Sequence, residues 1–347
     1  MWQIGSRTIE LGLGIWQAFQ YRRLLKLVEV AEDIGCDVLW VGNEKFYRDM
    51  WVMLGLVAAH TRRAKVGTFV ADPYSYHPAL IAAAIATADE ALDGRAILLL
   101  GAGAVGFRQM GRQRVKPLAA VEETITVVRR LLRGETVTFH GEVIEVNEAQ
   151  LHFETRADIP IWVASRGNKM LKMAGRQADG VMIATYATPK AIQHGLDQVA
   201  AGAAEAGRSG VPVTVRVDVC LDDDDGAARG AVKPMIAGMV KASAPNRDFV
   251  DQSGLDLPED FYGELLATEF TDMPRIVDRL PEPFVDAFAW AGTPEQIAQK
   301  VAAVVDMGID RITFLPHTSP ATGTAESMIQ RFASEVMPRV VALARGD

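Results

Sequence analysis

"AEDIGCDVLWV" (31–41) and "VDMGIDRITFL" (305–315) share one pattern at opposite ends of the chain. Each leaves an amphipathic helix through a glycine, one further residue and an aspartate, then enters a short apolar run. The glycine suits the left-handed position that closes a helix. The apolar run does not alternate, which marks a strand covered on both faces, as in a parallel sheet. A helix–glycine–strand unit at both ends predicts that the chain between them repeats it.

Working outward confirms the rhythm. Strand-like runs fall at 8–15, 37–41, 64–70, 95–100, 159–164, 180–184, 211–221 and 310–315. Helical runs separate them at 21–35, 50–60, 78–92, 116–132, 168–177, 188–207 and 293–308, and one closes the chain at 326–344. Alternating β and α units of this number predict a (β/α)8 TIM barrel, and 347 residues suit one such domain over 1–347. Two interruptions stand out. "ETVTFHGEVIEV" (135–146) alternates and turns at His140-Gly141, predicting an inserted hairpin over 135–150. Residues 222–290 are too long for a simple loop and predict a helical insertion on the active-site face, as a lid or an oligomer contact. Its Asp222–Asp225 run reads as a solvated turn, because four adjacent carboxylates do not converge on one ion.

Bulk properties narrow the function. Hydrophobic residues make up 49% of the chain and the net charge is −8, so there is a large core and no broad basic surface for nucleic acid. Cys36 and Cys220 both lie in apolar runs and read as buried, reduced thiols. The N-terminus lacks a basic stretch followed by an apolar one, and no apolar run reaches the roughly 18 residues of a membrane helix. A cytoplasmic protein is the expectation.

In a barrel, chemistry gathers where strands end. The ends carry no serine elbow, no HExxH, no paired Cys/His spacing and no phosphate-loop lysine motif; no metal site is expected. They are rich in Gly, Ala and aromatics, which suits a large flat cofactor with its own reactivity. "GAGAVG" (101–106) matches a dinucleotide fingerprint, but "FRQMGRQRVKP" follows where a helix should open, so a bare-backbone loop is the better reading. "SRGNKML" (165–171) is either an anion site at a helix start or an ordinary basic helix start. Glu44 is the one strand-end carboxylate with a polar neighbour, Asn43; it reads equally as a surface acid paired with Lys45 or Arg48. His77 reads as packing or capping, and His317 as a weaker candidate. Trp16 follows the first strand and stands between core and cofactor stacking.

"DVLWVGNEKFYRD" (37–49), "VGTFVADPYSYHPALIAAAIAT" (66–87), "GRAILLLGAGAVGF" (94–107), "IPIWVASRGNKMLKMAGRQADGVMI" (159–183) and "GTPEQIAQKVAAVVDMGIDRITFLP" (292–316) together make the chain resemble a known family. It is similar to the bacterial-luciferase-like flavin- and deazaflavin-dependent oxidoreductases, and within them to the methylenetetrahydromethanopterin-reductase branch. The resemblance implies a homodimer or higher oligomer with FMN or coenzyme F420 in the barrel mouth. It implies a cofactor phosphate at Ser165, Arg166, Gly167, Asn168, Lys169 and Met170. Gly101, Ala102 and Gly103 would line the ring and ribityl side, beside Asn43. Phe69, Val70, Ala71 and Asp72 would form the back wall, with a non-prolyl cis peptide at Phe69-Val70. Glu44 would be the catalytic acid or base. The implied activity is hydride transfer to or from a small organic or pterin-like substrate. The alternatives are an FMN monooxygenase served by a separate flavin reductase, and a non-catalytic flavin-binding protein. Glu44 and Ala104 stand where deazaflavin dehydrogenases often carry a histidine and an acid, which puts sugar or alcohol oxidation in doubt.

Overall fold

Short apolar runs bordered by glycine and aspartate become eight parallel strands that close on themselves. The computed structural model describes residues 2–16, 20–103, 105–184, 186–244, 247–251 and 253–345. The strands are β1 (Arg7–Ile15), β2 (Val38–Gly42), β3 (Lys65–Phe69), β4 (Ala96–Leu100), β5 (Ile161–Ser165), β6 (Gly180–Ala184), β7 (Val213–Leu221) and β8 (Arg311–His317). Each pairs in parallel with the next, and β8 pairs with β1. Closure leaves no edge among these strands. Helices α1 (Tyr21–Asp33), α2 (Met50–Ala58), α3 (Pro78–Ala91), α4 (Pro117–Leu132), α5 (Asn168–Gln177) and α6 (Pro189–Glu205) pack outside, followed by Pro294–Asp306 and a last helical stretch from Ala325 to Arg345. Gly35 and Gly308, the glycines of the repeated pattern, both take positive φ, at 91° and 94°.

The lower barrel is filled by two indoles. Trp40 and Trp162 are buried with ring centroids 6.1 Å apart. Glycines make the room: a Cβ at Gly67 would overlap the Trp40 ring, and one at Gly180 would overlap Trp162. Trp40 Nε1 donates to Thr313 Oγ1 at 3.1 Å, so the buried N–H is satisfied.

The N-terminal face is tied by one carboxylate. Glu32, at the end of α1, is 4% exposed. It accepts hydrogen bonds from the Thr61 hydroxyl (2.7 Å) and from the amides of Arg62, Arg63 and Ala64 (3.1, 3.0 and 2.9 Å). Burial alone would raise its pKa. The hydroxyl and the three amides outweigh burial and bring it down from 4.5 to about 2.

The structure adds to the sequence reading in three places. Trp2–Ile4 is a short strand antiparallel to the start of β1, where the sequence suggested a first strand from residue 8. The inserted hairpin is Val137–His140 with Glu145–Ala149, and the Glu123 carboxylate on α4 holds its turn through the amides of Glu142, Val143 and Ile144. The insertion contains helices Asp225–Ser243, Asp248–Asp251, Glu259–Ala267 and Pro283–Phe288 and two 3-10 turns. It ends in a strand, Ala289–Gly292, that pairs in parallel with the upper half of β7. That four-residue strand lies across the expected boundary at 290. β7 is long enough to pair β6 below and this strand above.

The acidic run is not a uniformly solvated turn. Asp222 is buried and accepts from the amides of Asp224 and Ala321. Asp224 caps the following helix through Gly226 N and Ala227 N. No cluster of metal-binding side chains occurs among the described residues.

Candidate active site at the barrel mouth

The connection after β3 is built around a buried carboxylate. Asp72 has no exposed surface. It accepts from the amides of Tyr74 and Ser75 (3.1 and 2.8 Å), the Ser75 hydroxyl (3.1 Å) and Asn43 Nδ2 (3.3 Å), and it pairs with Lys45 Nζ at 2.6 Å. The Asx-type bonds to Tyr74 and Ser75 are the reason an aspartate opens this loop. Asn43 Nδ2 also donates to the Val70 carbonyl at 2.9 Å. Asn43 and Asp72 therefore position the wall rather than face the cavity with free amide N–H or carboxylate groups. The Phe69-Val70 peptide is cis, as the resemblance implied. His77 caps α3 by accepting from Ala79 N at 3.2 Å.

The glycines after β4 answer to geometry. Gly103 has φ +67°, and a Cβ there would meet Phe107 at 2.6 Å. A Cβ at Gly101 would meet Val70 Cγ2 at 2.9 Å, so the Val70 side chain packs directly on the bare Gly101 backbone. Turns follow Gly106, and the next helix begins only at Pro117, which removes the dinucleotide reading. Ala104 lies outside the described residues.

The β5–α5 junction has the features of an anion site. Gly167 is the N-cap residue of α5 and no side chain caps the helix. Gly167 N is turned onto Ser165 Oγ at 3.0 Å. Burial and then the nearby Arg216 cation lower the Arg166 guanidinium from 12.5 to about 10, so it stays charged at neutral pH. A positive helix end beside a desolvated guanidinium favours a phosphate. Met170 is half-buried against the core, and Lys169 is exposed. Asn168 Oδ1 meets His194 Nε2 at 2.9 Å, which ties α5 to α6.

Across the mouth stands a cluster that the sequence reading largely missed. Arg216 and Asp218 point inward from β7. Their double contact, NH1–Oδ2 at 2.5 Å and NH2–Oδ1 at 2.9 Å, is bidentate. His317 Nε2 meets Asp218 Oδ1 at 2.7 Å, and the Trp16 ring lies edge-on to the imidazole at 6.2 Å. Arg216 also faces the Phe69 ring at 5.8 Å. The signal was the alternation of Thr, Arg and Asp in "TVRVDV" (214–219), which puts three polar groups on one face of an otherwise apolar strand.

Glu44 lies at the same mouth, close enough to Arg216 to feel its charge, and is half-buried. Burial raises its carboxyl above the usual range, and the Lys45 and Arg216 cations offset part of that. A carboxyl shifted in this direction is a candidate acid–base group. The residues fit a flavin or deazaflavin: a backbone-lined wall, a helix-end anion site and flanking acid–base groups.

The sequence model described as "Luciferase-like monooxygenase" matches residues 5–311. The chain is 30% identical over 340 residues to the 5,10-methylenetetrahydromethanopterin reductase of Archaeoglobus fulgidus, covering 96% of this chain and 100% of that protein. It is 31% identical over 320 residues to the enzyme of the same name from Methanolobus tindarius, covering 91% and 95%. The solved structure of the coenzyme F420-dependent tetrahydromethanopterin reductase of Methanopyrus kandleri superposes with a TM-score of 0.83 at 25% identity, covering 96% of this chain and 99% of that one.

Proposed function

We infer, for a chain that belongs to the luciferase-like monooxygenase family, that it is a flavin- or deazaflavin-dependent oxidoreductase of a small organic substrate and that its own cofactor is coenzyme F420. The substrate class we assign is a reduced pterin carrying a one-carbon unit, as the names of its full-length relatives suggest. The observation that carries the reading is the close approach of Val70 to the bare backbone of Gly101, together with the uncapped α5 terminus and the half-buried Arg166. When bound, the deazaflavin supplies or accepts a hydride. Ser165, Arg166 and the α5 amides hold its phosphate. The cis-linked Phe69-Val70 segment backs the ring, Asn43 and Asp72 keep that segment in place, and Glu44 holds a proton at the rim.

Titration with F420 and with FMN, followed by anaerobic mixing of the reduced complex with methylenetetrahydromethanopterin, tests the assignment. The expected result is preferential F420 binding and substrate-dependent F420 oxidation without oxygen uptake. Preferential FMN binding with oxygen uptake overturns it in favour of the monooxygenase reading that the family description carries. A separate flavin reductase would be needed only in that case.

A homodimer is also proposed. Val52 on α2 and Leu80 on α3 are each 64% exposed, with Phe46 (70%) and Tyr47 (60%) just before α2. Four large apolar or aromatic side chains on neighbouring elements suit burial against a second copy. Light scattering of V52D/L80D should then give the monomer mass. The buried free cysteines fit the reducing compartment of a cytoplasmic protein.

A further inference from the structure

We propose that His317 is a second proton-handling residue of this site, held in one tautomer by the buried Asp218–Arg216 pair. The proposal rests on the oxidoreductase reading for the step it serves, while the positioning stands on geometry alone.

Asp218 has no exposed surface and Arg216 is 7% exposed. A bidentate arginine already neutralises the carboxylate. The imidazole is therefore an addition that a merely structural pair does not require. It is also the member of the cluster that reaches outward: the His317 side chain is 15% exposed, against 9% and 0% for its two partners. Of the histidines in the chain, only His317 lies on a barrel strand, and it occupies the C-terminal end where barrel enzymes place reacting groups.

The hydrogen bond sets the chemistry. Asp218 is held as an acceptor by two guanidinium N–H groups, so Nε2 of His317 carries the hydrogen it shares with Asp218. Nδ1 is then the atom left for a substrate, as acceptor in the neutral ring and donor in the imidazolium. The charged and titratable groups of the cluster are Asp218 and Arg216 from β7 and Cys220 opposite His317 in the β7–β8 register; Glu44 at the end of β2 and Arg166 at the end of β5 feel the same Arg216 charge. Burial pushes the Cys220 thiol up to about 12, which keeps it neutral. Trp16, just after β1, lies edge-on to the imidazole.

Reduction of a carbon–nitrogen linkage needs a hydride and one proton. A bound reduced deazaflavin would supply the hydride for the new C–H bond, so carbon would gain two electrons at the deazaflavin's expense. The electron pair of the carbon–nitrogen bond returns to nitrogen, which takes a proton. His317 Nδ1–H supplies that proton and is left as neutral imidazole; the reverse direction returns it. Glu44 stands on the other side of β1, so the two groups can serve different atoms of one substrate.

Nitrogen-correlated NMR of the unliganded, histidine-labelled protein reads the positioning. His317 should show the Nε2–H tautomer, and Asp218→Asn should turn it into a mixture. His317→Gln should lower single-turnover F420 oxidation by methylenetetrahydromethanopterin about 100-fold, with F420 affinity unchanged within about twofold and the folded signature kept. A rate within about threefold of the parent, or an Nδ1–H tautomer in the unliganded protein, overturns the proposal. Failure of the parent to bind F420 would sink the cofactor assignment instead, and the tautomer would still decide whether Asp218 positions His317.

Discussion

Glu32 and Glu44 are one strand apart in the chain and on opposite faces of one barrel. Both are taken largely out of water, yet they respond in opposite directions. Glu32 is surrounded by donors and its carboxyl falls to about 2. At Glu44 burial outweighs the Lys45 and Arg216 cations and its carboxyl rises. The N-terminal face gives its charge the partners it needs and gains stability. On the C-terminal face burial lifts the Glu44 carboxyl and depresses the Arg166 guanidinium, which is a cost to folding.

The largest effect that would break this contrast is at the stabilising end. Glu32→Gln should cost about 2–3 kcal/mol at pH 7, read by urea unfolding. The sign follows from the depressed pKa: the contribution is complete above about 4.5 and is lost as pH falls toward about 2. The variant should therefore unfold with a shallower acid dependence, and an unchanged midpoint would show that the amide bonds carry no charge-dependent energy.

Glu44→Gln should do the reverse. A raised acid pKa means that folding favours the protonated carboxyl, so removing the ionisable group should leave stability at pH 7 unchanged or raised. Turnover should fall about 100-fold. Lost stability at neutral pH would place Glu44 with Glu32 and dissolve the contrast.

Arg166→Gln should weaken F420 binding about tenfold, about 1.4 kcal/mol, and reduce the stabilisation that added phosphate gives the parent. An identical phosphate response in both would remove the anion site from β5–α5. The smallest effect is the control far from the mouth. Thr293 and Gln296 form a reciprocal capping box on the helix Pro294–Asp306. Thr293→Ala should cost about 1 kcal/mol with F420 affinity intact.

The barrel was legible because its strands are apolar on both faces and are separated by helices with clear glycine stops; Gly35 and Gly308 are examples. Trp2–Ile4 and Ala289–Gly292 were not legible, since strands of three and four residues carry too little pattern and exist only through their partners. Of the site, the cis-linked wall and the β5–α5 anion features came from the resemblance and local chemistry. The resemblance implies cofactor contacts at Asn43 and Asp72, but their hydrogen bonds turn them toward each other and the Val70 carbonyl.

Local composition determined which segments would be strands, which would be helices and where the chain would present bare backbone. It could not pair Asp218 with His317, nor set Glu44 against Arg216, because those groups lie far apart in sequence and meet only when β7 and β8 align and the barrel closes. Secondary structure follows from periodicity within a few turns of chain. Proton affinities follow from which groups share a dry space, and the closed barrel alone decides that.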